Sequence, residues 1–154
     1  MPKVSNIELI KIRKQPVLSV RTTTNAANLP SSIGECLKKI AGYLKETGEF
    51  MSDIPFVAYH GIDPENMDIE VGFPVPGILS GKDDIKASFL QEGMAVFCMF
   101  RGPYSEMEPL YDEILSWIEE NNYKFSGIYY EFYYNGIEFP ESELLTKVLI
   151  PISK

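Results

Sequence analysis

The sequence predicts an α+β fold in which two β-α-β-β halves with pseudo-twofold symmetry form a single domain over residues 1–154. Two observations predict it. The same order of strands and helix occurs twice, and both halves close on a strand of the pattern Val-x-apolar-Pro-apolar, at 71–75 and at 148–152. A proline removes one ladder donor, so it suits a strand end or edge. We expect the first half at about 1–76, the second at about 92–154, and a ligand groove between them.

The strands of the first half are predicted from an approximate alternation of apolar and polar residues and from the turn residues that separate them. They lie at 7–14, 17–24, 55–61 and 67–75. The segment that follows, up to residue 91, contains proline and glycine and is predicted to be a linker.

A helix is predicted between the second and third of these strands. Ser31 or Ser32 is the expected N-cap, with Glu35 as its capping-box partner, and Gly48 is expected to end the helix. Apolar residues recur at helical spacing along it: Ile33, Leu37, Ile40, Ala41 and Leu44.

The second half repeats this order of elements. A strand at 94–101 is followed by a helix that begins near Ser105 and ends at Asn121-Asn122. An aromatic strand at 127–134 and a last strand at about 144–152 complete the half. The helix has apolar positions at helical spacing: Met107, Leu110, Tyr111, Ile114, Leu115 and Ile118.

One carboxylate lies inside the aromatic strand, and it is the most informative feature of the chain. Strand alternation places Tyr129, Glu131 and Tyr133 on one face. An acid between two tyrosines suits an organic cation, because the charge pairs with the carboxylate and the rings stack on a flat ligand. The alternative is a solvent-facing Glu on an edge strand among ordinary β-forming tyrosines. The other face is apolar enough to pack on a helix: Ile128, Tyr130, Phe132 and Tyr134.

Composition and charge exclude several classes of protein. The net charge of −8 argues against direct contact with nucleic acid, which requires clustered Lys and Arg. Cys36 and Cys98 are expected to be free, buried thiols rather than a disulfide or a zinc site, and no metal or cofactor motif is present. The single histidine, His60, is expected to be a surface or hydrogen-bonded residue. No signal peptide or membrane-spanning run occurs, so we expect a cytoplasmic protein.

The order and spacing of these elements resemble the GyrI-like small-molecule-binding domains, the effector-binding or multidrug-sensing domains of bacterial AraC-type and MerR-type regulators. The resemblance covers nearly the whole chain, from Ile7 to Ile152. It is carried by the segments 56–60, 68–75, 100–104, 110–118, 127–133 and 150–152.

The resemblance implies a curved antiparallel sheet with helices on one side and a ligand cleft on the other. Drug-sensing members bind bulky lipophilic cations against aromatic walls with a buried glutamate, which by position corresponds to Glu131. An aromatic position of the first half corresponds to Tyr59. Regulators carry a helix-turn-helix domain beside this module; the sequence here contains none, so we expect a stand-alone module.

The expected function is therefore binding of an amphipathic aromatic or cationic small molecule, without a cofactor or a membrane partner. The protein would act by sequestration or by ligand-dependent contact with another protein. The expected ligand-binding residues combine the counter-charge with aromatic walls from both halves: Glu131, Tyr59, Phe73, Tyr129, Tyr133, Tyr104 and Tyr111.

Two alternatives stay open. Some stand-alone members of the resembled family hydrolyse reactive cyclopropane-bearing compounds, in which case Glu131 would activate water and Tyr59 would polarise the departing group. The family name comes from an inhibitor of DNA gyrase, so a protein-interaction module that contacts gyrase or a regulator is the other alternative. We expect binding rather than catalysis.

Overall fold

The computed structural model describes residues 3–136 and 138–154 of the chain. It divides into two compact units. Arg13–Glu92 forms one, hereafter the 13–92 unit, and Gly93–Lys154 with the residues up to Ile12 forms the other, hereafter the 93–154 unit. In chain order the elements are β1 (Glu8–Ile12), β2 (Gln15–Thr24), α1 (Leu29–Thr47), β3 (Phe56–Asp63), β4 (Asn66–Pro74), β5 (Ile85–Leu90), β6 (Gly93–Arg101), α2 (Glu108–Glu120), β7 (Lys124–Phe125), β8 (Tyr129–Tyr133) and β9 (Leu145–Ser153).

The 13–92 unit is an antiparallel sheet of order β3-β4-β2-β5 with one helix. Val20 pairs with Val71, and Phe56 pairs with Gly72, so β4 lies between β2 and β3. Helix α1 packs on β4 and β2. It buries Cys36, Ile40 and Leu44, which follow the predicted helical spacing.

The 93–154 unit has the corresponding antiparallel order β1-β6-β9-β8, with the short β7 also paired to β9. Its core lies between α2 and one face of this sheet. Leu110, Ile114 and Ile118 of α2 pack on the side chains of Val96, Cys98, Phe100, Val148 and Ile150.

The two units therefore share one strand arrangement, which confirms the predicted α+β class and its repeated β-α-β-β order. In the 13–92 unit the last strand of the repeat, β4, lies between the first strand β2 and the second strand β3. In the 93–154 unit the last strand, β9, lies between β6 and β8 in the same way. Each unit also has an added edge strand, β5 or β1, on the outer side of its first strand. β5 lies inside the segment that was predicted to be a linker, because its alternation is too short and weak to predict a strand. The strand predicted at 7–14 pairs with β6, in the unit of the second half.

The N-cap of helix α1 lies three or four residues before the predicted caps Ser31 and Ser32, so that prediction was wrong. Its N-cap is Asn28, without a side-chain hydrogen bond to the helix. Pro30 occupies the first turn, a position that suits its fixed φ and missing N–H. Ser32 instead shares a hydrogen bond of 2.8 Å with the hydroxyl of Thr24. Gly48 ends the helix in the left-handed conformation, as predicted.

Among residues 3–136 and 138–154, no helix is long and apolar enough to cross a membrane.

Candidate functional site

Glu131 lies in the middle of β8 and is 9 % exposed. Its cross-strand partner is Val148, which belongs to the core under α2. Because directly paired residues of an antiparallel sheet share a face, the carboxylate lies on the side of the sheet that α2 covers.

The face that we predicted to pack on a helix is therefore the wrong one. Tyr130 and Phe132 lie on the opposite face from α2, in register with Leu149 and Lys147. The Lys147 ammonium stands 4.5 Å from the centre of the Phe132 ring. Both faces of β8 carry large aromatic rings, so hydrophobicity alone did not distinguish them; the register with β9 decides.

Two tyrosine hydroxyls donate hydrogen bonds to the Glu131 carboxylate. The Tyr133 hydroxyl donates to Oε1 at 2.7 Å, from the same strand face. The Tyr111 hydroxyl, from the first turn of α2, donates to Oε2. Each carboxylate oxygen thus accepts from one phenol, and hydrogen bonds to a charged group are the stronger kind.

Aromatic contacts join four tyrosines around this carboxylate. Tyr104 meets Tyr133 edge-to-face, with ring centroids 5.7 Å apart, and Tyr111 meets Tyr129 in the same way at 5.1 Å. Contacts of this geometry contribute about 0.5–1.5 kcal/mol each beyond area burial. Tyr104, Tyr111, Tyr129 and Tyr133 are called the tyrosine cluster below. All four belong to the 93–154 unit.

The outer tyrosines of the cluster remain neutral at physiological pH. Burial is the main cause that raises the pKa of Tyr104 above its usual value, and the negative charge of Glu131 is the second cause. Burial, and then the charge of Asp112, raise the pKa of Tyr129. Tyr104 is nevertheless 44 % exposed, so the cluster extends from the buried carboxylate to the protein surface.

The other two predicted site residues belong to the 13–92 unit. Tyr59 on β3 and Phe73 on β4 are both buried. Tyr59 pairs with Ile69, so these two side chains lie on the same face of the sheet. Phe73 lies four residues after Ile69 along β4 and therefore lies on that face too. A role for Tyr59 and Phe73 beside Glu131 stays a prediction.

Thr146 and Phe125 are neighbours of the cluster that were not predicted as site residues. Phe125 packs against Tyr129 with ring centroids 4.7 Å apart. Thr146 is directly opposite Tyr133 on β9 and is fully buried. Its hydroxyl is the buried side-chain polar atom for which the described residues provide no hydrogen-bond partner. Thr146 shares its inward strand face with Val148 and Ile150, and the register with β8 and β6 is what identifies that face.

A second polar group lies on the sheet of the 13–92 unit. The Ser19 hydroxyl donates to Oε2 of Glu70 at 2.7 Å, and Nε2 of His60 lies 3.1 Å from Oε1 of the same carboxylate. His60 is thus hydrogen-bonded, as expected. In the described part of the chain, no three His, Cys, Asp or Glu side chains are grouped as a metal site.

Both cysteines are free and buried, as predicted. Burial is the main cause that raises the pKa of the Cys36 thiol and of the Cys98 thiol, so both remain protonated at neutral pH.

An open groove of about 450 Å³ lies between α1 and the segment before β5. It is lined mainly by charged side chains, including the exposed ion pair of Lys39 and Asp84 at 2.9 Å. None of the predicted site residues lines it. Exposed ion pairs of this kind contribute little free energy, so we regard the groove as ordinary surface.

Comparison of structures gives the same fold in other proteins. The chain matches the MerR-type regulator EcmrR, in its DNA complex, with a TM-score of 0.84 and 23% identity, over 97% of this chain and 57% of that one. It thus spans little more than half the length of that regulator. The crystal structure of the EcmrR C-terminal domain matches over 98% of this chain and 99% of that domain, with a TM-score of 0.80 and 23% identity.

Two further relatives have the same fold at lower identity. A hydrolase from Listeria innocua matches with a TM-score of 0.74 and 14% identity, over 99% of this chain and 93% of that one. SAV2435, whose structure contains tetraphenylphosphonium, matches with a TM-score of 0.66 and 10% identity, over 97% of this chain and 94% of SAV2435. At these identities the similarity shows the fold alone.

No functionally curated protein matches the sequence. The model of one family does match it, the GyrI-like small molecule binding domain, over residues 5–153. Together with the repeated fold described above, this match shows that the chain belongs to the GyrI-like family of small-molecule-binding domains.

Proposed function

We propose that the protein binds an amphipathic organic cation with a flat aromatic body at the tyrosine cluster, with Glu131 as the counter-charge. The observation that carries the proposal is a buried carboxylate surrounded by four tyrosines, two of which donate hydrogen bonds to it. The ligand-bound protein would act in the cytoplasm, by sequestration or through a protein partner.

The chemistry of the donors supports a cation rather than a neutral ligand. The two tyrosine hydroxyls that donate to Glu131 are uncharged. A charge in a poorly solvated site interacts strongly with an opposite charge that reaches it. The faces of the tyrosine rings carry the negative part of the ring quadrupole, so they also attract a cation, by about 0.5–2 kcal/mol per contact.

The relatives support the same class of ligand. The family is one of small-molecule-binding domains, and SAV2435 binds tetraphenylphosphonium, a lipophilic aromatic cation. The tyrosine cluster provides aromatic surface and negative charge together, which are the two properties that such a ligand requires.

A titration with rhodamine 6G tests the proposal, followed by dye fluorescence polarisation and by quenching of the single tryptophan. We expect saturable binding by the wild-type protein. Glu131→Gln should weaken it by about tenfold or more, roughly 1.4 kcal/mol, because the amide keeps the shape and removes the charge.

Glu70→Gln is the matched control, because Glu70 is also a partly buried, hydrogen-bonded strand carboxylate and its loss changes the net charge equally. This variant should bind the dye as the wild type does. Equal binding by the wild type and Glu131→Gln would contradict the proposal, and equal losses in both variants would indicate a long-range effect of net charge.

A second candidate function is hydrolysis of a reactive cyclopropane-bearing compound. The contact between a carboxylate and two phenols favours it, since the carboxylate can act as general base and a phenol as general acid. Glu131 would accept a proton from water as its oxygen attacks a ring carbon. The breaking carbon–carbon bond would then deliver its electron pair to a conjugated carbonyl oxygen, which takes a proton from a tyrosine. Tyr111 and Tyr133 replace Tyr59 as the proposed donors, because their hydroxyls contact Glu131.

Turnover of a spirocyclopropyl dienone distinguishes this candidate from binding alone. If the protein is a hydrolase, the dienone absorbance should disappear over many turnovers with the wild type and not with Glu131→Gln. Binding of the dienone without turnover would exclude it.

A further inference from the structure

The hydroxyl of Thr146 is a buried polar group without a hydrogen-bond partner in the described part of the chain. Buried hydroxyls are nearly always hydrogen-bonded in native proteins, because an unsatisfied one loses its bonds to water and gains nothing in return. Valine has the same shape and would fill this position without that cost. A threonine here therefore requires an explanation other than packing.

The position of Thr146 connects it to the tyrosine cluster. β9 is a central strand, and Thr146 is in register with Phe100 of β6 on one side and with Tyr133 of β8 on the other. Phe100 is fully buried, whereas Tyr133 is half-buried and contacts the exposed Tyr104. The cluster side is thus the side from which a molecule would reach the hydroxyl.

The register also places Thr146 close to Glu131 on the sheet. Glu131 pairs with Val148, so Thr146 is its diagonal neighbour on the same face of the sheet. Diagonal neighbours in an antiparallel pair are about 7–8 Å apart. One small aromatic molecule spans both side chains.

We propose that Thr146 is a specificity-determining residue of the ligand site. It accepts a hydrogen bond from, or donates one to, a polar group that the ligand carries beside its cationic centre. The proposal rests on the proposed function and narrows its ligand class from lipophilic cations in general to cations with a second, hydrogen-bonding substituent. A site built to bond such a group discriminates against an analogue that lacks it.

Binding requires a small rearrangement, because Thr146 has no exposed surface in this structure. Tyr133 is the ring directly opposite, and its hydroxyl is held by Glu131 at 2.7 Å. A cation that pairs with Glu131 competes for that oxygen and releases the ring toward Tyr104, which uncovers the threonine hydroxyl.

Two cationic dyes of the same three-ring shape test the proposal. Proflavine carries amino groups that donate hydrogen bonds, and 10-methylacridinium carries none. Thr146→Val should weaken proflavine binding by about fivefold to tenfold and change 10-methylacridinium binding by less than about twofold. Thr146→Ser, which keeps the hydroxyl, should restore the difference between the dyes.

The melting temperature of unliganded Thr146→Val provides a second readout, and it should equal or exceed that of the wild type because an unsatisfied hydroxyl has been removed. Thr146→Ala is a second variant without the hydroxyl, should the valine variant fail to fold. Equal losses for both dyes, or no loss for either, would overturn the role of Thr146 while Glu131-dependent binding stands. Binding of neither dye by the wild type would overturn the proposed function and this inference together.

Discussion

Removal of one tyrosine hydroxyl from the Glu131 carboxylate is the most direct test of the site geometry. Tyr133→Phe deletes the donor at 2.7 Å and leaves the ring in place. A hydrogen bond to a charged group is worth about 1.5–3 kcal/mol. Because Tyr133 is half-buried, we expect the lower part of this range, a loss of about 1.5–2 kcal/mol in the free energy of unfolding. Tyr111→Phe should cost a similar amount.

Urea unfolding followed by far-UV circular dichroism measures these losses, because that signal reports on the helices and strands of both units. Tyr43→Phe is the matched control, because the Tyr43 hydroxyl also donates at 2.7 Å, but to the neutral backbone oxygen of Ser80 at the surface. It should cost about 0.5–1 kcal/mol. The double variant of Tyr111 and Tyr133 should depart from additivity by about 0.5 kcal/mol or more, because both donate to one carboxylate. A Tyr133→Phe loss no larger than that of Tyr43→Phe would refute the reasoning.

Three further predictions follow from the surroundings of particular residues. Gly72→Ala would place a Cβ 2.5 Å from a backbone oxygen of β2, so it should lower the free energy of unfolding by at least about 1–3 kcal/mol. Gly42→Ala is the control, because open space surrounds this position and the substitution should not destabilise α1. Chemical denaturation compares the two variants. Cys36 and Cys98 should resist iodoacetamide at pH 7 in the native protein and react fully in urea, as counted by mass spectrometry; rapid native alkylation of either would show that it is not buried. Burial raises the pKa of Tyr104 in the folded state, so its stabilising contribution is complete below about pH 10 and is lost as the pH rises through the folded-state pKa. The melting temperature of Tyr104→Phe should therefore fall less above about pH 10 than that of the wild type. An equal fall in both proteins would contradict this.

Local patterns in the sequence determined most of the secondary structure. Helical spacing of apolar residues predicted α1 and α2, and Gly48 and Asn121 end them as expected. The repeated Val-x-apolar-Pro-apolar pattern predicted the corresponding strands β4 and β9. These features were predictable because they depend on residues close together in the chain.

The composition of the cluster was also visible in the sequence. Strand alternation predicted that Tyr129, Glu131 and Tyr133 share a face. Tyr104 was expected at the entry to the second helix and Tyr111 on that helix. The structure brings these five residues into contact through hydrogen bonds and ring pairs. Their role in binding remains a prediction that the dye titrations test.

Only the tertiary structure decided which face of β8 meets α2, which strand pairs with β1, and that Thr146 is buried without a partner. Each depends on strand register and on partners more than 10 residues away. β8 has large aromatic side chains on both faces, so hydrophobic patterning permitted either orientation, and the pairing of Glu131 with Val148 selected one. A single threonine among apolar residues is equally compatible with a surface or a core position. The sequence by itself therefore determined the elements and the residue types of the candidate site, whereas long-range pairing decided their faces, because register sets the direction of every side chain in a strand at once.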